Sequence, residues 1–338
     1  MKKVVYLRGK PIGDGKVTIQ SMTNTPTFDK ERTLAQIKAL SNAGADFVRV
    51  SIPDEESALS IKFLCEKSPV PLIGDIHFDA KPALIAIENG ISKIRINPSN
   101  LNAVDLERIV KKCIEYDVPI RVGVNKGSIK RKISPAELVD LTLDSAKLIE
   151  DLGWDKLVLA VKSSDPVETV QAYRLLSTKT DYPLHIGLTE SGTESMGLVK
   201  SSVVIGSLLL DGIGDTIRVS LTGDPVKEVY AAKKILRSVG LDDNFVKVIA
   251  CPTCARTEID VENLANIVED MTKEYNIPLK IAVMGCVVNG IGEGKDADFG
   301  VAGGKGKSVI FRNGEIYKTV PNERLKYEIL ILCKEYVK

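Results

Sequence analysis

Three thiols and a carboxylate lie close together late in the chain: Cys251-x-x-Cys254 in CPTC, then Cys286 and Glu293 in MGCVVNGIGE. A Cys-x-x-Cys spacing brings two thiolates within reach of one metal centre. A third Cys in a glycine-rich turn can close on them, because glycine lets backbone approach a bulky group. Three thiolates leave a four-ligand site one short. A fourth ligand that is weak or displaceable is what separates a catalytic iron–sulfur cluster from one that only carries electrons. Zinc is a rival occupant, although structural zinc sites mostly use four Cys or His ligands and no His follows His185. A Cys251–Cys254 disulfide would need an oxidising compartment. Cys65, Cys113 and Cys333 sit in the apolar helical patterns FLCEK, VKKCIEY and LILCKEY, where a buried, inert thiol is expected.

A second set of candidates falls at the ends of strands. From residue 17 to about 238 one unit repeats: a short β-branched run, a polar residue at its end, then an amphipathic stretch. The runs are VTIQSM (17–22), FVRVS (47–51), LIGDI (72–76), KIRIN (93–97), IRVGV (120–124), KLVLAV (156–161), LHIGL (184–188) and TIRVS (216–220). Asp29, Ser134-Pro135, Asp165-Pro166 and Asp224-Pro225 open helices between them, and Gly44 and Gly90 stand where helices should stop. Eight such units predict an α/β fold, a (β/α)₈ TIM barrel. A doubly wound sheet would want a glycine-rich phosphate fingerprint after its first strand, and that turn reads SMTNTPTFD.

Barrel active sites form at the C-terminal ends of the strands. Those ends carry Ser21 and Asn24, Arg49 and Ser51, Asp75 and His77, Arg95 and Asn97, Arg121 and Asn125, Lys162 and Ser163, Glu190, and Arg218 and Ser220. Five of the eight strands bring a cation. One such Arg could be a salt-bridge strut. Five on one rim need more negative charge than the few carboxylates supply, because an unpaired buried guanidinium is costly. A ligand that carries phosphate, preferably a diphosphate, would supply it. His77 and Glu190 are candidates for proton transfer, Glu190 because it points into a rim of cations. A lone strand His is also a common hydrogen-bonded strut, and His185 is expected to pack. GVAGGKGKS (300–308) is no Walker loop: Val301 replaces a required glycine, and the hairpin SVIFRNGEIYKTV follows instead of a helix.

Composition bounds the rest. The chain has 338 residues, 46 basic against 45 acidic, with a net charge of +1. That is enough for two domains, expected at 1–238 and 239–338, and it gives no global field favouring nucleic acid or a membrane as partner. The N-terminus has no apolar leader region, and no run approaches the roughly 18 apolar residues of a membrane span. Six cysteines without a secretory signal predict a reducing, cytoplasmic setting. After residue 239 the pattern reads as a small α/β domain: strand FVKVIAC, a helix IDVENLANIVEDMTKEY capped by Thr257, strand KIAVMGC, the glycine-rich turn, strand DFGVA, a hairpin and a helix from about Pro321.

With these residues in hand, the chain resembles the bacterial 4-hydroxy-3-methylbut-2-en-1-yl diphosphate synthases of the non-mevalonate isoprenoid pathway. The likeness runs through QSMTNT (20–25), GADFVRVS (44–51), DIHF (75–78), KIRINPSN (93–100), RVGVNKGS (121–128), HIGLTE (185–190), TIRVSLTGDP (216–225), CPTCART (251–257) and MGCVVNGIGE (284–293). The resemblance implies a barrel followed by an iron–sulfur domain, and a [4Fe–4S] cluster on Cys251, Cys254, Cys286 and Glu293. It implies 2-C-methyl-D-erythritol 2,4-cyclodiphosphate as substrate and a two-electron reductive dehydroxylation that opens its ring. Arg49, Arg95, Arg121, Lys162, Arg218 and Ser220 would hold the diphosphate, and Asp75, His77 and Asn125 would line the pocket. Glu190 would be the acid, and Asn289 would approach from the cluster side. Ferredoxin or flavodoxin is the expected donor. The helix after the eighth strand delivers the chain to the barrel face opposite the rim with no long linker following, so a head-to-tail homodimer is expected, as the resemblance also implies. A non-catalytic phosphometabolite or redox sensor and a zinc-stabilised barrel lyase are the rival functions.

Overall fold

The computed structural model describes residues 2–77, 79–129 and 131–336 and, of Ser99 and Ser128, the backbone only. Phe78 of the DIHF motif therefore lies outside the described residues. The chain forms two compact units, Met1–Leu241 and Asp242–Lys338.

The first unit opens with an antiparallel hairpin, β1 (Val5–Leu7) and β2 (Lys10–Ile12). Eight parallel strands follow: β3 (Thr18–Met22), β4 (Phe47–Ile52), β5 (Leu72–Ile76), β6 (Lys93–Ile96), β7 (Ile120–Asn125), β8 (Leu157–Lys162), β9 (His185–Ile186) and β10 (Thr216–Ile217). After each comes a helix: α1 (Lys30–Ala43), α2 (Glu55–Lys67), α3 (Ala80–Glu88), α4 (Ala103–Glu115), α5 (Pro135–Asp151), α6 (Pro166–Lys179), α7 (Glu194–Leu210) and α8 (Pro225–Ser238). The strands neighbour one another in the order β8-β7-β6-β5-β4-β3-β10-β9, and a parallel bridge from Leu159 to Leu184 brings β8 to the start of β9, so the sheet closes into the TIM barrel.

The period of two along each strand decides which side chains face which way. Val48, Val50, Ile94, Ile120, Val122, Leu159 and Ile217 face outward into the main core, which they share with helix residues such as Ile37, Ile61 and Ile109. Side chains at the predicted caps hold the helix starts: Asp29 accepts from Arg32 N–H, Asp165 from Glu168 N–H and Asp224 from Val226 N–H, and Ser134 with Glu137 makes a full capping box. The hairpin plugs the N-terminal mouth, where Val5, Leu7 and Ile12 pack on Phe47, Ile73 and Val158. The last two strands are shorter than the sequence predicts. Beyond Ile186 one bond, Arg218 N–H to Ile186 O at 3.1 Å, continues the pairing before both segments turn into rim loops.

The second unit is a five-stranded sheet in chain order: β11 (Val246–Ala250), β12 (Leu279–Met284), β13 (Phe299–Ala302), β14 (Lys307–Arg312) and β15 (Glu315–Pro321). The β11, β12 and β13 pairings are parallel, and the β13–β14 and β14–β15 pairings are antiparallel. Helices α9 (Val261–Thr272) and α11 (Asn322–Glu335) supply Leu264, Val268, Ile329 and Leu332 to one face. On the other face α10 (Val287–Glu293) brings Ile291 to the cluster of Ala282, Met284, Ala302 and Phe311. Two details correct the sequence reading. The glycine-rich segment after Cys286 is not a slack turn but this short helix. Its Gly290 lies so close to β12 and β13 that a Cβ would stand 2.7 Å from Met284 Cβ and 3.1 Å from Ala302 Cβ. Helix α9 is capped by Asp260, whose carboxylate accepts from Asn263 N–H, rather than by Thr257. Among the described residues, no helix is long and apolar enough to cross a membrane.

Candidate active site and metal centre

Parallel register in the barrel places interior side chains of alternate strands at matching heights. From the plugged mouth upward, the strand pairings give a layer of Phe47, Lys93, Val158 and Thr216, then one of Gln20, Ile73, Arg121 and His185. Above these come Arg49, Arg95, Ala160 and Arg218, and then Met22, Asp75, Gly123 and Gly187. Three arginines in one layer thus lie directly beneath a layer in which two of the four positions lack a side chain. A Cβ on Gly123 would stand 3.1 Å from Arg121 Nη2 and 3.3 Å from Arg95 Nε, and one on Gly187 would stand 3.1 Å from Lys162 Nζ. The two glycines make room for the ends of three cationic side chains, Arg95, Arg121 and Lys162.

These cations are sparsely answered from within. Asp75 lies 3.9 Å from Arg49 Nε and 3.4 Å from Arg95 Nη1, and Glu228 of α8 lies 3.5 Å from Arg218 Nη2. Arg49 also points Nε and Nη2 at the Met22 sulfur, 3.1 and 2.9 Å away, a weak acceptor for a strong donor. Arg121 is 2% exposed, and its Nε and Nη1 have no hydrogen-bond partner among the described residues. Burial pushes Arg49 down to about 10 and Arg121 and Lys162 well below their ordinary values, each depressed further by neighbouring arginines. Burial alone would raise the Asp75 carboxyl, but Arg49, Arg95 and Arg121 hold it below the usual carboxylate range. Glu228 goes the other way: burial raises it despite Arg218. Such a site is short of negative charge, and a polyanion would relieve it.

Above this floor, beside Lys162, the rim carries neutral and acidic groups. Ser51 Oγ lies 3.0 Å from His77 Nε2, Asn125 ends β7 with a buried Oδ1 that has no hydrogen-bond partner among the described residues, and Ser163 Oγ donates to Glu168 at 2.8 Å. Ser191 Oγ donates to Ser220 O, which ties the loop after β9 to the loop after β10. Glu190 is exposed and takes a left-handed backbone with φ +53°, and its Oε1 lies 3.7 Å from where a Cβ on Gly127 would stand. Non-glycine residues rarely adopt that conformation without a functional or turn constraint. Ser21 faces outward between strands and Asn24 binds Gln36, so neither joins the group.

In the second unit, Cys251 follows β11 and Cys286 follows β12, at the C-terminal ends of adjacent parallel strands. Cys251, Cys254, Cys286 and Glu293 border one cavity of about 230 Å³, together with Arg256, Met284, Asn289 and Gly290. Among the described residues no three such side chains converge tightly enough to hold a single ion; the donors ring a space instead. The backbone is prepared for thiolate sulfur, with Gly285 N–H donating to Cys251 Sγ at 3.1 Å. Hydrogen bonds from the Arg256 backbone and guanidinium hold the Cys254 thiol below its ordinary value. Thr257 Oγ1 accepts from Cys254 N–H at 3.1 Å and so fixes the loop. Asn289 Nδ2 donates to Glu293 Oε1 at 3.4 Å, one helical turn apart on α10. Three thiols, one carboxylate and donors aimed at sulfur fit an iron–sulfur cluster. The other cysteines do not take part: burial pushes Cys65 up to about 12 and raises Cys113 and Cys333 as well.

Residue-type reasoning did not find Gly123, Gly187, Glu228 or Arg256. The two glycines did leave a trace, since each stands two residues after an interior base, in Arg121-Val-Gly and His185-Ile-Gly. They make a direct prediction. In Gly123→Ala the new methyl meets only the ends of side chains, so the variant should fold and its KM for the bound anion should rise, by about 5–150-fold for about 1–3 kcal/mol of overpacking. In Gly187→Ala the methyl would sit 2.5 Å from Arg218 O, so thermal stability should fall as well. Steady-state kinetics beside melting curves separate the two.

A family model described as the GcpE TIM-barrel domain matches residues 3–233, and one described as the GcpE protein C-terminal domain matches residues 247–335. A relative from Thermotoga maritima, 4-hydroxy-3-methylbut-2-en-1-yl diphosphate synthase (flavodoxin), is 50% identical over 343 residues, 99% of either chain. One of the same name from Brevibacillus brevis is 49% identical over 344 residues, 99% of this chain and 96% of the relative. Among solved structures, a Yersinia pestis dihydropteroate synthase covers 71% of this chain and all of its own at TM-score 0.55 and 15% identity, a likeness of fold alone.

Proposed function

Since the chain belongs to the GcpE family, we infer that it carries out the reaction of that family. It converts 2-C-methyl-D-erythritol 2,4-cyclodiphosphate to 4-hydroxy-3-methylbut-2-enyl diphosphate in the non-mevalonate isoprenoid pathway, as an iron–sulfur oxidoreductase with flavodoxin as electron donor. Two electrons and two protons enter, one hydroxyl leaves as water, and the ring opens. The observation that carries this reading is the glycine-lined group of Arg49, Arg95, Arg121, Lys162 and Arg218 in the same chain as three thiols and a carboxylate around one cavity.

The cluster we assign is a [4Fe–4S] centre on Cys251, Cys254, Cys286 and Glu293. When bound, it would supply electrons one at a time and Lewis acidity at iron. The rest is the work of side chains. Arg49, Arg95, Arg121, Arg218 and Lys162 bind the diphosphate, with Ser220 at the edge, and their mutual repulsion in the free protein becomes binding energy once it arrives. Asp75 clamps Arg49 and Arg95 in place. His77, oriented by Ser51, and Asn125 line the pocket. Glu190 delivers the proton that turns the departing hydroxyl into water, and Asn289 steadies the Glu293 carboxylate. Anaerobic protein with a reconstituted cluster and reduced flavodoxin tests the reaction. Two flavodoxin electrons should be consumed for each cyclic diphosphate; an intact, reducible cluster with no substrate-dependent oxidation would favour the sensor.

The domains we assign are 1–238 for substrate and 239–338 for the cluster, joined into a head-to-tail homodimer in the cytoplasm. Connectivity supports the dimer. Helix α8 ends at Ser238 and β11 begins at Val246, so only residues 239–245 lead away from the face opposite the rim. Val239, Gly240 and Leu241 bond back onto the end of α8, which leaves four residues, about 14 Å when extended, against the roughly 22 Å length of a 15-residue helix that recrossing a barrel would take. Each cluster would therefore serve the partner's barrel. Co-expressed Glu190→Gln and Cys254→Ser chains, each inactive alone, should regain activity in mixed dimers, because one site then has an intact barrel and an intact cluster. No recovery in verified mixed dimers would sink the pairing.

A further inference from the structure

Beneath the arginine floor lie two layers that the reaction does not use, apart from the upward reach of Arg121. They hold Gln20, Lys93, Arg121, His185 and Thr216, between zero and 2% exposed, on five different strands. The hairpin plug of Val5, Leu7 and Ile12 seals them from below. Among the described residues, both ends of the Gln20 amide, Lys93 Nζ, Arg121 Nε and Nη1, both His185 ring nitrogens and Thr216 Oγ1 lack a hydrogen-bond partner. Buried polar atoms in native proteins are almost always satisfied, so something between these side chains completes them.

The chemistry of that occupant follows from counting donors. Arg121 offers Nη1–H₂, Lys93 its amine, Gln20 an NH₂, His185 one N–H and Thr216 a hydroxyl. Against these stand the Gln20 carbonyl, one His185 nitrogen and the Thr216 oxygen. Neither layer contains an Asp or Glu. Burial and the charge of Arg121 push Lys93 well below its ordinary value, and His185 likewise, but a guanidinium keeps its charge. A pure acceptor with negative charge answers both the donor excess and Arg121. We propose that the barrel holds a second, internal anion site, of halide size, between Lys93, Arg121, His185, Gln20 and Thr216 and below the diphosphate cradle. Arg121 joins the two sites: its Nη2 and Nε lie beside Gly123 at the cradle, while Nη1 remains for the lower one. An anion there would fix the Arg121 fork and keep the floor from repelling itself apart before substrate arrives.

The same anionic chemistry could come from a free halide or from a phosphate oxygen of the substrate reaching down, and one experiment separates the sources. Crystals of the full chain grown in sodium bromide, with and without inorganic diphosphate, are measured at the bromine edge. An anomalous peak within hydrogen-bond distance of Lys93 Nζ and Arg121 Nη1, kept when diphosphate fills the cradle, is the expected result. A peak that diphosphate displaces would make the chamber part of the substrate site, and waters alone would make it a hydrated void; either overturns the proposal. In solution, the melting temperature should climb with bromide at fixed ionic strength set by gluconate. Lys93→Met, which removes one buried donor and keeps the chain length, should fold and bind bromide about tenfold more weakly, the loss of one charge-assisted hydrogen bond. An unchanged bromide response in that variant would also overturn it.

Discussion

Cys251→Ser, Cys254→Ser and Cys286→Ser should each yield a folded protein without the iron–sulfur absorbance and with turnover at least about 100-fold lower. A hydroxyl is a hard, weakly acidic ligand and a poor substitute for thiolate at iron. Loss of even an outer-shell partner typically costs 10–100-fold in metal affinity or activity. The fold should survive because Cys and Ser are nearly the same size and these side chains stand at strand ends; Cys254 is exposed, Cys251 only borders the two core clusters, and the sheet is held by residues such as Ile281, Val283 and Phe299. Circular dichroism checks the fold, and iron content with the visible spectrum checks the site. Glu293→Ala should behave differently, leaving an iron-deficient cluster, since three thiolates remain. A full cluster in any one of the Cys variants would refute the ligand set.

Glu190→Gln should fold, bind the cyclic diphosphate with KM little changed, and lose kcat by about 10²–10⁴-fold, the usual contribution of a positioned general acid. The amide keeps the shape and the strained backbone at φ +53° but cannot surrender a proton as a carboxylic acid does. The separation of kcat from KM is the test. A variant of the arginine floor such as Arg218→Ala should show the opposite pattern, with KM rising most. If Glu190→Gln kept near-full kcat, the proton would come from another group, and His77 at 3.0 Å from Ser51 would be next.

Much of this was legible before the structure. Period-two alternation fixes which strand residues face inward, so Arg49, Arg95, Arg121 and Arg218 could be assigned to the interior from sequence, and Asp-Pro and Ser-Pro pairs marked where helices begin. What could not be read is contact. No local signal shows that Gly123 and Gly187 share a layer, because that depends on the one-residue offset between successive barrel strands. Nor does sequence show that Glu228, from the far side of a loop, answers Arg218. MGCVVNGIGE looked like a turn because three glycines in ten residues oppose helix. Packing overrides propensity there: Gly290 is what lets α10 lie against Met284 and Ala302.

Coupling of an anion cradle to a reducing cluster is measured most directly by ³¹P NMR of an anaerobic reaction with reduced flavodoxin and 2-C-methyl-D-erythritol 2,4-cyclodiphosphate. The two ring-diphosphate resonances should be replaced by those of a linear, terminally esterified diphosphate, in proportion to the electrons consumed. Unchanged ring resonances, from protein whose cluster is intact and reduced and whose barrel binds the substrate, would contradict it.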